Sequence, residues 1–436
     1  MHKLRQTANA ARTSMSKRRA KTPACFGLRA MVVAAAFATF AAFGAPVQAQ
    51  EDIRIGAIFP FTGGASTFGN QNFQGVDIAA DLVNDRGGIN GRKIVLLKGD
   101  ANNAQAAASE VNRLISVEGV NIFLGSSISS ASMVATQEAE RSGAFYWEGM
   151  AVANDVTNRG FQNTFRFGMN ASGLGLPAAK YTAHVLPEKL GVPVDGLKVA
   201  ILAEDSGFGT DVSAAADAYV TEQGAKVVMH ESYSSKITDL SSAILKMRSA
   251  NPDVVIVTQF INDAILLQRQ MRDLGFTPKA FLGTGAGQAT SSFAEALGDD
   301  VNGIFSSSYP PDVNPEGLSD RAKTDLQEFL KRYEAKYNVV PAVQESLGFV
   351  VGLALFEDII ANAASTDPVD LSAAARAVDL PMGTYINGWG MKFDEKGQNT
   401  MADGAVVQWQ DQKMIVIYPE NLSMADPIMV PLPGSN

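Results

Sequence analysis

The chain has 436 residues, with 36 Lys and Arg against 45 Asp and Glu, one cysteine and three histidines. The stretch 1–49 holds eight of the basic residues and no acid, so the remaining chain carries 28 basic residues and a net charge of −17. That balance argues against nucleic acid or an anionic membrane surface as a partner, and the length predicts two lobes rather than one domain.

The basic residues of the first stretch are Lys3, Arg5, Arg12, Lys17, Arg18, Arg19, Lys21 and Arg29. An apolar run over 30–45 follows, and Val47-Gln48-Ala49 fits the small-x-small rule of signal peptidase. The run is shorter than the roughly 20 residues a permanent bilayer-spanning helix needs. Residues 1–49 therefore read as a cleaved signal peptide and the protein as periplasmic, with an uncleaved anchor as the alternative. Arg18-Arg19 lacks the apolar pair expected of twin-arginine export. Cys25 precedes the apolar run, so lipid anchoring is not expected, and a mature chain without cysteine has no disulfide or thiolate. No later run is long enough to span a membrane.

Beyond the leader, apolar β-branched runs alternate with amphipathic stretches. Strands are predicted over 53–59, 94–97, 121–124, 144–148, 198–203, 226–231, 253–258, 279–282 and 303–306. Helices are predicted over 104–117, 129–141, 210–222, 240–249 and 264–274, and longer ones over 320–337 and 345–362. A Pro-containing segment over 309–315 reads as a hinge-adjacent loop, and the tail adds strands at 390–393, 405–410 and 414–418. Strands that are apolar throughout belong in parallel sheets covered on both faces, which predicts doubly wound α/β architecture.

A short echo divides this pattern. Ser66-Thr67-Phe68-Gly69 follows the first strand, and Ser206-Gly207-Phe208-Gly209 follows the strand at 198–203. Ligands of open α/β sheets bind beyond the carboxyl ends of strands, so two such loops facing each other would form a cleft.

The opening Ile-x-Ile-Gly-x-x-x-Pro-x-Thr-Gly, the NDRGGING turn over 84–91 and Asp100 resemble periplasmic branched-chain amino-acid-binding proteins of ABC importers. Gly125-Ser126-Ser127-Ile128-Ser129-Ser130, Asn158-Arg159-Gly160-Phe161 and Asp394-Glu395-Lys396-Gly397 extend the resemblance in the same order along the mature chain. It implies a type I periplasmic binding fold: two doubly wound α/β lobes, a central cleft and three crossover segments. The expected division is 50–170 with 307–400 for lobe 1 and 171–306 with 401–436 for lobe 2.

The resemblance also suggests a binding site. The loop 125–130 would offer the hydroxyls of Ser127, Ser129 and Ser130, with backbone amides, to a ligand carboxylate. Ser129 opens a predicted helix, where free N–H groups favour an anion; the bland reading is an ordinary cap. Glu148 and Met150 stand where amino-acid binders place Ser or Thr, and Glu148 is expected to meet a ligand ammonium or a neighbouring Arg. Gly285 stands where those binders carry an acid. Phe68, Phe208 and Phe260 are expected to flank an apolar or planar ligand, or else to pack in the core. Gln259, with Asn262 beside it, and Gln344, with Glu345, are further candidates.

Catalytic readings find little support. His184 and His230 are far apart and fit no triad or metal spacing, and 283–287 is Gly-x-Gly-x-Gly rather than a dinucleotide fingerprint. No cofactor or metal is expected. The function expected is a monomeric, extracytoplasmic solute-binding protein. It would capture a small polar or amphipathic solute, an amino acid or a related compound, by hinge closure and deliver it to an inner-membrane ABC permease. The alternatives are a ligand-sensing module of a receptor or regulator, and an exported NAD-dependent enzyme.

Overall fold

The computed structural model describes residues 51–234, 236–310, 313 and 315–435. The expected signal peptide and Cys25 lie outside the described residues, as does Pro311 of the Pro-containing segment.

Lobe 1 begins with β1 (Ile53–Phe59), α1 (Ser66–Asp85), β2 (Ile94–Asp100), α2 (Ala104–Glu118), β3 (Ile122–Gly125), α3 (Ser129–Arg141), β4 (Phe145–Glu148) and β5 (Thr164–Arg166). The strands form one parallel sheet in the order β2-β1-β3-β4-β5. The chain then crosses to lobe 2 through α4 (Ala171–His184) and α5 (Leu186–Leu190). Strands β6 (Lys198–Glu204), β7 (Lys226–Tyr233), β8 (Val254–Thr258), β9 (Ala280–Thr284) and β10 (Phe305–Ser308) follow. They alternate with α6 (Gly207–Glu222), α7 (Ser241–Ala250), α8 (Ile261–Asp273) and α9 (Ser291–Leu297).

After β10 the chain returns through α10 (Asp320–Tyr337) and α11 (Val343–Leu353), and α11 packs along α1. Helix α12 (Pro368–Ala377), β11 (Asp379–Leu380) and β12 (Met391–Lys392) lead to the third crossing. Strands β13 (Ala405–Gln410) and β14 (Lys413–Tyr418) complete the second sheet, ordered β14-β13-β10-β9-β8-β6-β7. Both are antiparallel, whereas β6 to β10 are parallel. Two doubly wound sheets and three crossings are the architecture expected.

Helix α1 buries Phe73, Val76, Ala79, Ala80 and Val83, the three- and four-residue spacing of an amphipathic stripe. Its contact with α11 is unusually close. A Cβ on Gly75 would lie 1.9 Å from the Glu345 carbonyl oxygen, and one on Gly348 1.9 Å from that of Asn72. In lobe 1, Trp147 stacks on Phe167 with centroids 5.8 Å apart, and its indole N–H donates to the Val351 carbonyl at 3.1 Å. The β4 strand is thereby tied to the helix that returns from lobe 2.

Several boundaries differ from the sequence reading. Strand β5 and helix α4 were not anticipated, and the helix expected over 345–362 ends as α-helix at Leu353 and continues as a wider-wound turn over Ala354–Ile359. The segments Ser66 to Gly69 and Gly207 to Gly209 are first helical turns rather than open loops, with Ser206 as N-cap of α6.

Candidate functional site

Each sheet reverses its strand order at one place: between β1 and β3 in lobe 1, and between β6 and β8 in lobe 2. Helices beginning at such a switch point leave a crevice at the strand carboxyl ends. The Ser-x-Phe-Gly echo builds both crevices. A Cβ on Gly69 would lie 2.3 Å from the Pro60 carbonyl oxygen, and one on Gly209 1.9 Å from that of Glu204. Only glycine lets these first turns sit against the preceding strand end, and the neighbouring Phe68 and Phe208 project into the space between the lobes.

That space is a narrow cavity, lined from lobe 1 by Phe68, Ser127, Ser129, Met150 and Val152. Leu174, Phe208, Phe260, Gly285, Ala286 and Tyr309 line it from the lobe 2 side. Phe208 and Phe260 flank the lobe 2 switch point with ring centroids 5.1 Å apart. Two hydrogen bonds cross nearby: Tyr309 O–H donates to the Met150 carbonyl at 3.0 Å, and Asn154 N–H donates to Asp211 at 2.8 Å.

Ser127 and Ser129 are 6% and 3% exposed. Ser127 Oγ accepts from Asn72 Nδ2 at 3.2 Å, and Ser129 Oγ accepts from the Ala153 N–H at 3.2 Å. Helix α3 starts at Ser129, so the positive end of its dipole lies beside that hydroxyl.

Of the ten sequence candidates, six line the cavity: Phe68, Ser127, Ser129, Met150, Phe208 and Phe260. The other four do not. Ser130 is exposed on α3. Gln259 is fully buried among Tyr233, Asp263 and Gln288, donating to the first two and accepting from the third. Gln344 is buried in α11, where its Oε1 has no partner among the described residues.

Glu148 requires the largest correction. Its side chain is fully buried, and Oε1 accepts from the N–H groups of Gly149, Met150 and Ala151 at 2.9–3.0 Å. Oε2 accepts from the Ser126 N–H at 2.7 Å and from the Ser132 hydroxyl. Five donors leave the carboxylate no capacity for a solute. Burial pushes its carboxyl up to about 7 against the pull of those donors.

Arg166 is the counterpart. It is 1% exposed and donates from Nη1 to the carbonyls of Ala151 and Ala153 at 3.1 and 2.6 Å. Burial brings its guanidinium down to about 10, opposed first by the charge of Glu148. Glu148 thus holds the N–H groups of the loop after β4 while Arg166 holds its carbonyls, and the loop presents Met150 and Val152 to the cavity.

Asp100 also proves to be a loop support: it accepts from the N–H groups of Phe61 and Thr62 at 2.8 and 3.2 Å. Sequence reasoning missed Leu174, Ala286 and Tyr309 as cavity residues. Tyr309 follows the carboxyl end of β10, so the strand-end rule would have found it. Among the described residues no group of three His, Cys, Asp or Glu could hold a metal, and no helix is long and apolar enough to cross a membrane.

Two α/β lobes that meet over a small cavity at both switch points define a solute-binding protein of the type I periplasmic binding fold. The family model for periplasmic binding proteins matches residues 52–413, and the chain belongs to that family. It is 33% identical over 395 residues to Leu/Ile/Val-binding protein homolog 7 of Brucella melitensis, covering 91% of this chain and 98% of the relative.

Among solved structures, the fold is similar to the substrate-binding protein LivJ of Streptococcus pneumoniae in complex with isoleucine. The TM-score is 0.70 at 22% identity, over 83% of this chain and 97% of that one. It is likewise similar to a solute-binding protein of R. palustris in complex with benzoate. There the TM-score is 0.68 at 19% identity, over 86% and 98% of the two chains. These relatives and neighbours are binding proteins, not enzymes.

Proposed function

We propose that this protein captures a small polar or amphipathic solute between its lobes in the periplasm and delivers it to an inner-membrane ABC permease. The observation that carries the reading is the cavity itself: its walls come from the switch points of both sheets, so a solute there would touch both lobes at once. A solute contacting both lobes favours the arrangement in which they are together, and its differential affinity for that arrangement drives hinge closure. The cross-lobe bonds from Tyr309 and Asn154 belong to the closed state.

In this reading the signal peptide is removed near Ala49 and the mature protein acts as a monomer. Lobe 1 comprises 50–170 with 310–400, and lobe 2 comprises 171–309 with 401–436, the expected boundary at 306 moving because β10 runs to Ser308 in the lobe 2 sheet. Phe68, Ser127, Ser129, Met150, Phe208 and Phe260 contact the solute, while Glu148 positions the loop after β4. The relative's name and the isoleucine-bound neighbour make an amino acid the first solute to test, and the benzoate-bound neighbour makes an aromatic acid the second.

A thermal-shift screen of amino acids, amides, aromatic acids and polyols tests the reading, because a solute that binds only the folded protein raises Tm. Cells lacking the gene should then lose uptake of the stabilising solute. Absence of any stabilising solute, or undiminished uptake, would contradict it.

A further inference from the structure

We infer that the cavity selects a carboxylate with an apolar body and no ammonium group: a simple carboxylic acid rather than an amino acid. The inference rests on the cavity being the solute site and names the chemistry that site accepts.

One wall is built from donors. Ser127 and Ser129 are buried, and each uses its oxygen to accept a bond from the protein, from Asn72 and Ala153 respectively. Neither hydroxyl proton has an acceptor among the described residues, and both side chains face the cavity. An O–H donor held in a dry space is satisfied by an acceptor from the solute. The N-terminus of α3, at Ser129, adds positive potential on the same wall. A carboxylate, with two acceptor oxygens and a full negative charge, fits this arrangement.

The facing wall offers an ammonium nothing comparable. It is formed by Leu174, Phe208, Phe260, Gly285, Ala286 and Tyr309, without a charged or amide side chain, and its one side-chain hydroxyl, that of Tyr309, is engaged as a donor to the Met150 carbonyl. The buried acids near the strand ends are already engaged. Glu148 accepts from five donors, and Glu204 accepts from the Ser206 and Gly209 N–H groups and the Ser206 hydroxyl. Gly285 has a φ of +88°, which disfavours a side chain, and a Cβ there would lie 2.8 Å from Leu174 Cδ2, so an acid at this position would require Leu174 to shift. A buried ammonium needs acceptors for three N–H bonds and a compensating charge, and without them its desolvation opposes binding.

The test compares solutes that differ only in the ammonium, by calorimetry on the purified mature protein: 4-methylpentanoate against leucine, and 3-phenylpropanoate against phenylalanine. The expected result is that the acid of at least one pair binds about tenfold or more tightly than its amino acid. Ser129→Ala should weaken that acid by about fivefold or more. Tighter binding of the amino acids would overturn the inference and leave the cleft as a solute site. Binding of neither member of either pair would overturn it too, and the screen above would then decide whether the cleft binds any solute. A Leu174→Ala/Gly285→Asp double variant should shift preference toward the amino acid; an unchanged preference would count against the assignment of the facing wall.

Discussion

Tyr309, at the end of β10 in lobe 2, donates its hydroxyl to the backbone carbonyl of Met150, after β4 in lobe 1, at 3.0 Å. Both residues line the cavity, so this bond joins the two walls beside the proposed solute. Tyr309→Phe removes the bond and keeps the ring. Because the bond exists only when the lobes meet, its loss should weaken solute affinity about threefold to tenfold, the range for one net hydrogen bond. The loss should appear in the dissociation rate, measured by stopped-flow fluorescence, with the unliganded Tm unchanged.

Glu148→Gln replaces a carboxylate that accepts five bonds with an amide whose NH₂ must face protein donors. Whichever way the amide turns, two or three buried donors lose their acceptor. A destabilisation on the order of 3 kcal/mol is expected, measured by urea denaturation without solute. An unchanged midpoint would mean that the loop after β4 is held by Arg166 alone.

Asp263 is 5% exposed and accepts from the Tyr233 hydroxyl, and burial pushes its carboxyl up to about 6. The folded state therefore holds this proton more tightly than the unfolded chain does. The corresponding stability is fully present below the ordinary aspartate range near pH 4 and is lost as pH rises through about 6. The stability difference between the wild type and Asp263→Asn should change across that window, measured by denaturation between pH 4 and 7, and be flat above it.

Gly75→Ala would stabilise an ordinary exposed helix by about 0.5–1 kcal/mol. Here the added methyl would meet the Glu345 carbonyl oxygen at 1.9 Å, so α1 and α11 must separate. The sign is expected to reverse, with a loss of about 1–3 kcal/mol by the same denaturation measurement.

The sequence was most legible where local pattern and tertiary environment agree. Strand β1 and helix α3 begin and end where their apolar periodicity does, and the switch-point phenylalanines follow from their place after β1, β6 and β8. Helix α4 was hidden because Gly173, Gly175 and Pro177 disfavour a helix locally; burial of Leu174, Ala178, Ala179 and Tyr181 overrides that preference. With it went Leu174, a wall of the cavity. Strand β5, three residues long, is too short for periodicity to show, although it carries Arg166.

Glu148 was misread for a different reason. An acid at a strand end looks solute-facing in one dimension, but the chain doubles back and brings its own N–H groups to the carboxylate. Gln259 was likewise placed at the right strand end but turns into lobe 2, toward Tyr233 and Gln288.

The central claim is that solute binding in the interlobe cavity holds the lobes together. Small-angle X-ray scattering with and without a stabilising solute tests it most directly. The account predicts a smaller radius of gyration with solute at a concentration near its wild-type Kd, and a clearly smaller change in Ser129→Ala at that concentration. Tight binding with an unchanged radius of gyration, or compaction that survives Ser129→Ala and Phe208→Ala alike, would contradict it.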